Sequence, residues 1–366
     1  MDRSIIIPLI ILLLFAIILF IAYLASEKPA PPHSFLPIHS NDYSSPLHWK
    51  GTPIDRKGRF LNSEFPFYQN YLHIISFVPG HTWNLVKNFF AKSSVELHAN
   101  SDFLHKNNTL IWLGHSSFFL RLDNLNILID PQFYHAFPYL RHTKIPIAPK
   151  LFRDIDYVLL SHDHADHFDP RSLRELMKNN PQTTFLAGLK MDSLLKSVGK
   201  ENVNCITADW YQRFPIKDEV EIYFVPTRHY CKRIFQKFNS RLWGGFILKF
   251  KISSTSYYTI YFGGDSGFGG HYKDVKTVFS PDLAILGIGA FKPEWFMHPN
   301  HMSPKEALQA FEDCGASSLI PMHYSTFNLS SENMKAPIKS LLKHAGNQHI
   351  LKLQIGETLP LPPLKP

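Results

Sequence analysis

The sequence predicts a layered α/β body behind an N-terminal membrane-spanning helix, on three observations. From residue 109 onward, short runs rich in β-branched and aromatic residues recur, many of them bounded by Gly, Pro, Asn or Asp. Helix-patterned segments lie between these runs, and strands interleaved with helices read as a layered α/β fold. Ahead of both stands an uncharged apolar run at residues 5–24.

Composition agrees with a folded chain. The 366 residues are 45% hydrophobic and 19% charged, which excludes a disordered chain and suffices for one large core or two modest ones. The formal net charge of +8 favours anionic partners such as membrane surfaces, phosphate-bearing substrates or nucleic acid. Three cysteines, Cys205, Cys231 and Cys314, without a C-x-x-C pair, argue against a disulfide framework.

As a helix, residues 5–24 are long enough to cross a hydrocarbon core of ~30 Å. A cleaved signal peptide would have a shorter apolar region and small residues at its cleavage site, which Tyr23-Leu24-Ala25 fits poorly. The expectation is a single-pass membrane anchor over residues 1–26. Its short N-terminal flank favours a body on the extracytoplasmic side. Residues 27–53, rich in Pro, Ser and His, are expected to be a linker, and residues 54–366 the functional domain. Aromatic residues crowd positions 65–90; they are expected to fill a core, with a lipid-facing groove as the alternative.

Strands are expected at 109–113, 117–122, 126–129, 157–160, 183–186, 221–225, 245–250, 257–262 and 283–286. Helices are expected at 170–178, 191–198 and 303–314. The last opens with a capping box, Ser303 three residues before Glu306, and with Pro304 at the first helical position. The sequence shows no internal repeat.

The apolar run at 157–160 ends at Ser161 and is followed by His162-Asp163-His164-Ala165-Asp166-His167. A strand supplies rigidity, and the turn after it aims several side chains at one point. Zinc takes imidazole nitrogens and carboxylate oxygens at about 2.0–2.2 Å. His162 and His164 suit one ion, and Asp166 and His167 suit a second. Three further candidates each follow an apolar run: His229, Asp265 and His323. Asp265 is the natural bridging ligand, because one carboxylate can touch two ions.

The order His-x-His-x-Asp-His, His, Asp, His resembles the metallo-β-lactamase superfamily. Within it the chain looks like the N-acylphosphatidylethanolamine-hydrolysing phospholipase D group. The resemblance is carried by Trp112-Leu113-Gly114-His115, Leu128-Ile129-Asp130-Pro131 and Pro226-Thr227-Arg228-His229-Tyr230-Cys231-Lys232-Arg233. Gly263-Gly264-Asp265, Ile288-Gly289-Ala290-Phe291, Trp295-Phe296-Met297 and the upstream Lys57-Gly58-Arg59-Phe60-Leu61-Asn62 add to it. It implies an αββα sandwich with two zinc ions at one edge. One zinc would sit on His162, His164 and His229, the other on Asp166, His167 and His323, with Asp265 bridging. It also marks Asp130 and His301 as active-site residues near a substrate phosphate.

The expected activity is therefore phosphodiester hydrolysis of an N-acylphosphatidylethanolamine or related phospholipid at a membrane. Asp166 and Asp265 would hold the metals, and His301 would protonate the leaving group or hydrogen-bond the phosphate. Asp130 and His115 would also fix the ring orientation of a ligand. A lactonase or another soluble-substrate hydrolase of the same superfamily is the alternative. A nucleic-acid substrate is disfavoured, since the body lacks a Lys/Arg-dense arm. A non-catalytic metal-binding protein would not need so complete a ligand set.

Overall fold

The computed structural model describes residues 31–38, 42–65, 71–87, 95–98, 102–123, 125–136, 138–199, 203–216, 220–233 and 236–364. In chain order the elements are β1 (Ser34–Phe35), β2 (Pro53–Ile54), α1 (Tyr71–Lys87), β3 (Thr109–Gly114), β4 (Ser117–Leu122), β5 (Leu125–Ile129) and β6 (Tyr157–Leu160). Next come α2 (Pro170–Asn179), β7 (Thr184–Gly188), α3 (Asp192–Gly199), β8 (Cys205–Ala208), β9 (Val220–Val225), β10 (Gly245–Lys251) and β11 (Tyr257–Phe262). Last are α4 (His271–Phe279), β12 (Leu283–Gly287), α5 (Glu294–Met297), α6 (Pro304–Cys314), β13 (Ser318–Met322), α7 (Ala336–His344) and β14 (Thr358–Pro360).

Two mixed sheets carry the body. One runs β14-β3-β4-β5-β6-β7-β8, the other β13-β12-β11-β10-β9. Successive side chains point to opposite faces of a strand, so a sheet covered on both faces is apolar at every position. In β3, Leu110 and Trp112 face the second sheet, and Ile111 and Leu113 face the other way. The inner faces meet directly: the Phe118 and Phe262 rings, one from each sheet, lie 6.1 Å apart, edge to face. Outside the first sheet, Leu173 of α2 and Leu195 of α3 complete a second core. Outside the other, Val275 of α4 and Phe311 of α6 join the main core. The layers are helix, sheet, sheet, helix, as the resemblance implied. Each fully buried Leu or Phe stabilises the fold by about 1.5–3 kcal/mol.

Strand direction places the functional edge. β5 to β8 are parallel neighbours, so their carboxyl ends share one side. β9 and β11 both run antiparallel to β10, and β12 and β13 run parallel to β11. The carboxyl ends of β9, β11 and β13 therefore also share one side.

Several expectations are corrected. Residues 5–24 lie outside the described residues. Among the described residues no helix is long and apolar enough to cross a membrane, which overturns the single-pass anchor and the orientation drawn from it. The described part of the expected linker is not free: β1 pairs with β2, and Thr52 donates to the carboxylate of Asp209 at 2.5 Å. That segment combines a short strand pair of its own with hydrogen bonds to the body, among them the Ser44 N–H to the Tyr211 carbonyl at 3.0 Å. Within the aromatic stretch, α1 leaves Trp83 71% exposed, so that ring fills no core. Phe77 instead stacks on Phe296 at 4.3 Å. Positions 66–70 and 88–94 lie outside the described residues.

Candidate metal centre

Every candidate site residue lies at the carboxyl end of a strand or in a loop beside those ends. Asp130 follows β5; His162, His164, Asp166 and His167 follow β6; His229, Asp265 and His323 follow β9, β11 and β13. Three residues at this edge adopt left-handed backbone: His115 (φ 54°), Asp130 (φ 41°) and His323 (φ 61°). His and Asp tolerate that region better than most residues, and such strain concentrates at functional sites. Gly264, also at positive φ, precedes Asp265 because a Cβ there would lie 2.7 Å from the Gly244 carbonyl oxygen.

The side chains gather into two groups. Ligand atoms of His162, His164 and His229 lie within 4.8 Å of one another, and so do those of His115, Asp166, His167 and His323. Asp265 stands between the groups. Its Oδ2 is 3.8 Å from Nε2 of His162 and 3.8 Å from Nε2 of His229. On the other side it is 3.2 Å from Nε2 of His167 and 3.1 Å from Nε2 of His323. Asp265 is 4% exposed, yet its Oδ1 and the Nε2 atoms of His162, His167 and His323 make no hydrogen bond. Buried polar atoms normally find partners, so inward-facing atoms that lack them fit ligands aimed at a cation.

Electrostatics agree. Burial drives His162 and His229 well below the ordinary imidazole value, and neighbouring histidines push them further. They are neutral and present lone pairs. At Asp166 and Asp265 burial is outweighed by the nearby histidines, His167 foremost, and both stay well below the usual carboxylate value. Burial is likewise outweighed at His323, held at about 9 by Asp265 and Asp166, and at His167, held well above its ordinary value. Those two rings keep protons that a cation would displace.

Asp130 lies behind the rings. It is fully buried, and its carboxylate accepts from His167 Nδ1 at 2.7 Å, from Ser161 Oγ at 2.5 Å and from the Ser161 amide at 2.8 Å. Ser161 Oγ then takes His162 Nδ1 at 2.9 Å. One carboxylate thus orients a histidine in each group, turning Nε2 inward. Both oxygens of Asp130 are thus taken by donors inside the protein. His115 likewise orients Asp166, with Nε2 at 2.9 Å from Oδ2.

His301 occupies the accessible side. Its side chain is 15% exposed, and Nδ1 lies 4.0 Å from Asp265 Oδ2. Burial pushes it down to about 4, so the ring is neutral at physiological pH. It can hold a hydrogen bond or accept a proton, but it is not a charged acid in this state. Sequence reasoning passed over Ser161, Asn300 and Asn62 as supports. The Asn300 carbonyl takes His229 Nδ1 at 3.1 Å, and Asn62 pairs with the His229 backbone. Only Asn62 carried a signal, as the last residue of the upstream 57–62 stretch.

Residues 125–324 match the model of the beta-lactamase superfamily domain, and the chain belongs to that superfamily. It is 30% identical over 251 residues to an uncharacterised protein of Mycobacterium bovis, covering 65% of this chain and 64% of that one. It is 27% identical over 234 residues to N-acyl-phosphatidylethanolamine-hydrolyzing phospholipase D 1 of Caenorhabditis elegans, covering 60% and 64%. The mitochondrial enzyme of the same name from Saccharomyces cerevisiae is 30% identical over 244 residues, covering 63% of this chain and 50% of that one. The matches thus span less than two-thirds of these relatives. A metallo hydrolase of the archaeon Ignicoccus hospitalis shares the fold, with TM-score 0.53 and 22% identity over 69% of this chain and 97% of that one. Fold, family and the His/Asp cluster together define a metallo-β-lactamase-type chain with a cluster suited to metal binding.

Proposed function

We propose that this chain is a metal-dependent hydrolase with two zinc ions, cleaving the phosphodiester of N-acylphosphatidylethanolamine or a related phospholipid in the manner of a phospholipase D. The observation that carries the reading is Asp265, whose Oδ2 lies within 4.0 Å of ring nitrogens from both ligand groups. His162, His164 and His229 would hold one ion, Asp166, His167 and His323 the other, with Asp265 shared. Paired divalent ions at such a site supply a water ionised near neutral pH and a clamp for phosphoryl oxygens.

The chain's residues supply the rest. Asp130 and His115 fix ligand orientation, and burial excludes bulk water from Asp265. His301, whose Nδ1 lies 4.0 Å from Asp265 Oδ2 on the accessible side, would donate a hydrogen bond to a phosphoryl oxygen or accept a proton from water. The phospholipid substrate is supported by the names of the worm and yeast relatives. The test is release of phosphatidic acid from detergent-dispersed N-acylphosphatidylethanolamine by chelator-treated and zinc-reloaded protein. Release that depends on zinc is expected. Metal-loaded protein that releases none refutes the substrate.

A further inference from the structure

His229 stands apart from the other ligands of its group in sequence, yet its Nε2 lies 3.1 Å from Nδ1 of His164. Two side chains outside the ligand set account for that placement. The Asn62 amide pairs with both backbone groups of His229: Oδ1 accepts from the His229 N–H at 3.1 Å, and Nδ2 donates to its carbonyl at 3.0 Å. Asp163, between His162 and His164, reaches the same loop from the other side. Its Oδ1 accepts from the Lys232 N–H at 2.9 Å, and its Oδ2 takes the Arg241 guanidinium at 2.8 Å. Asp163 is fully buried and Arg241 is 9% exposed. A carboxylate so placed is tolerated only with partners that satisfy it, so its position and that of the Lys232 backbone are fixed together.

We infer that Asn62 and Asp163 are positioning residues for His229, and that they tune the ion held by His162, His164 and His229 selectively. This rests on the reading of those three histidines as one metal group. The other group is held differently: His167 by Asp130, and the His323 backbone by the His115 carbonyl at 3.1 Å. Neither of those supports touches Asn62 or Asp163. Asn62 also precedes residues 125–324, the part matched to the superfamily domain. The upstream 57–62 stretch is thereby part of the metal centre and not a passive strap. Its Phe60 is anchored in turn: the Phe60 amide donates to the Asn239 carbonyl at 2.9 Å, and Asn239 Oδ1 accepts from the Cys231 amide at 3.1 Å.

The experiment is zinc titration against a chromophoric chelator, on the full chain, for the unsubstituted protein and for Asn62→Ala, Asp163→Ala, Arg241→Met and Asn180→Ala. Asn180 is the control: it is 6% exposed, and its amide donates to the Phe152 and Leu176 carbonyls, remote from the ligands. Removing a partner that orients a ligand typically weakens metal binding by about 10–100-fold. The expectation is that fall for one of two ions in Asn62→Ala and Asp163→Ala, a smaller fall for the same ion in Arg241→Met, and none in Asn180→Ala. Thermal unfolding of the metal-free variants reads stability separately, and Asn62→Ala and Arg241→Met carry the test if Asp163→Ala does not fold. Two ions bound by Asn62→Ala with unchanged affinities would overturn the inference alone, as would equal weakening of both ions. No zinc bound by the unsubstituted protein would overturn the metal reading, and this inference with it.

Discussion

Asp130→Asn tests whether the deepest carboxylate serves the metals or the substrate. Three donors converge on it: the Ser161 amide on Oδ1, and Ser161 Oγ and His167 Nδ1 on Oδ2. An asparagine amide has one acceptor oxygen and one NH2 group. With its oxygen at the Oδ2 position it keeps two donors and faces the Ser161 N–H with a donor of its own. Flipped, it keeps the Ser161 amide and opposes the other two. Either way at least one buried donor is left unpaired, which costs about 1–3 kcal/mol. Asparagine tolerates the φ of 41° as aspartate does, so no backbone strain is added. The metal-free protein should therefore unfold at lower urea, by about 1–3 kcal/mol. Metal affinity should fall about 10–100-fold, because His167 and, through Ser161, His162 lose their orientation. Urea titration of chelated protein reads the first quantity and chelator competition the second. A variant that keeps full metal affinity but loses turnover would instead show that Asp130 serves the substrate.

Asp265→Asn should weaken both ions together, in contrast with Asp163→Ala, because its carboxylate faces both groups; loss of one ion alone in a zinc titration would contradict the bridging assignment. Metal binding should release protons. His323 is raised from an ordinary 6.5 to about 9 by Asp265 and Asp166 against the opposing effect of burial, so in the metal-free chain its ion pairs stabilise the fold fully below 6.5 and are lost as pH rises through about 9. At about pH 7.5 zinc must displace that proton, so the calorimetric binding enthalpy should differ between buffers of different ionisation enthalpy. Identical enthalpies would contradict it. Ser303→Ala removes half of the capping box of α6, in which Ser303 Oγ accepts from the Glu306 amide at 3.3 Å, and should cost about 1 kcal/mol in urea unfolding.

The His/Asp cluster was legible because its members follow apolar runs whose carboxyl ends converge. The helix at 304–314 was legible because its capping box is local, and both of its hydrogen bonds are present. Long-range features were less legible. β13 contains Pro321, which counts against a strand; it is accommodated because β13 is the edge of its sheet and needs no amide there. β8 is four residues, Cys-Ile-Thr-Ala, at the other sheet's edge, too short and mixed to announce itself. α4 and α7 begin without a side-chain cap, at Gly270 and Lys335, so nothing local marks their starts as the capping box marks that of α6. The supports of His229 come from positions 62, 163 and 300, and no spacing rule joins them. The apolar run at 5–24 prompted a localisation that the described residues do not support, whereas the folding of the strap at 42–54 onto the body depends on backbone partners that composition cannot reveal.

In the proposed centre, one edge of the sandwich holds two metal ions, one on either side of Asp265. Anomalous diffraction at the zinc edge, from crystals of chelated and zinc-reloaded protein, tests it most directly. Two peaks are expected, one among His162, His164 and His229 and one among Asp166, His167 and His323, with the Asp265 carboxylate between them. A single peak, or peaks away from Asp265, would contradict it.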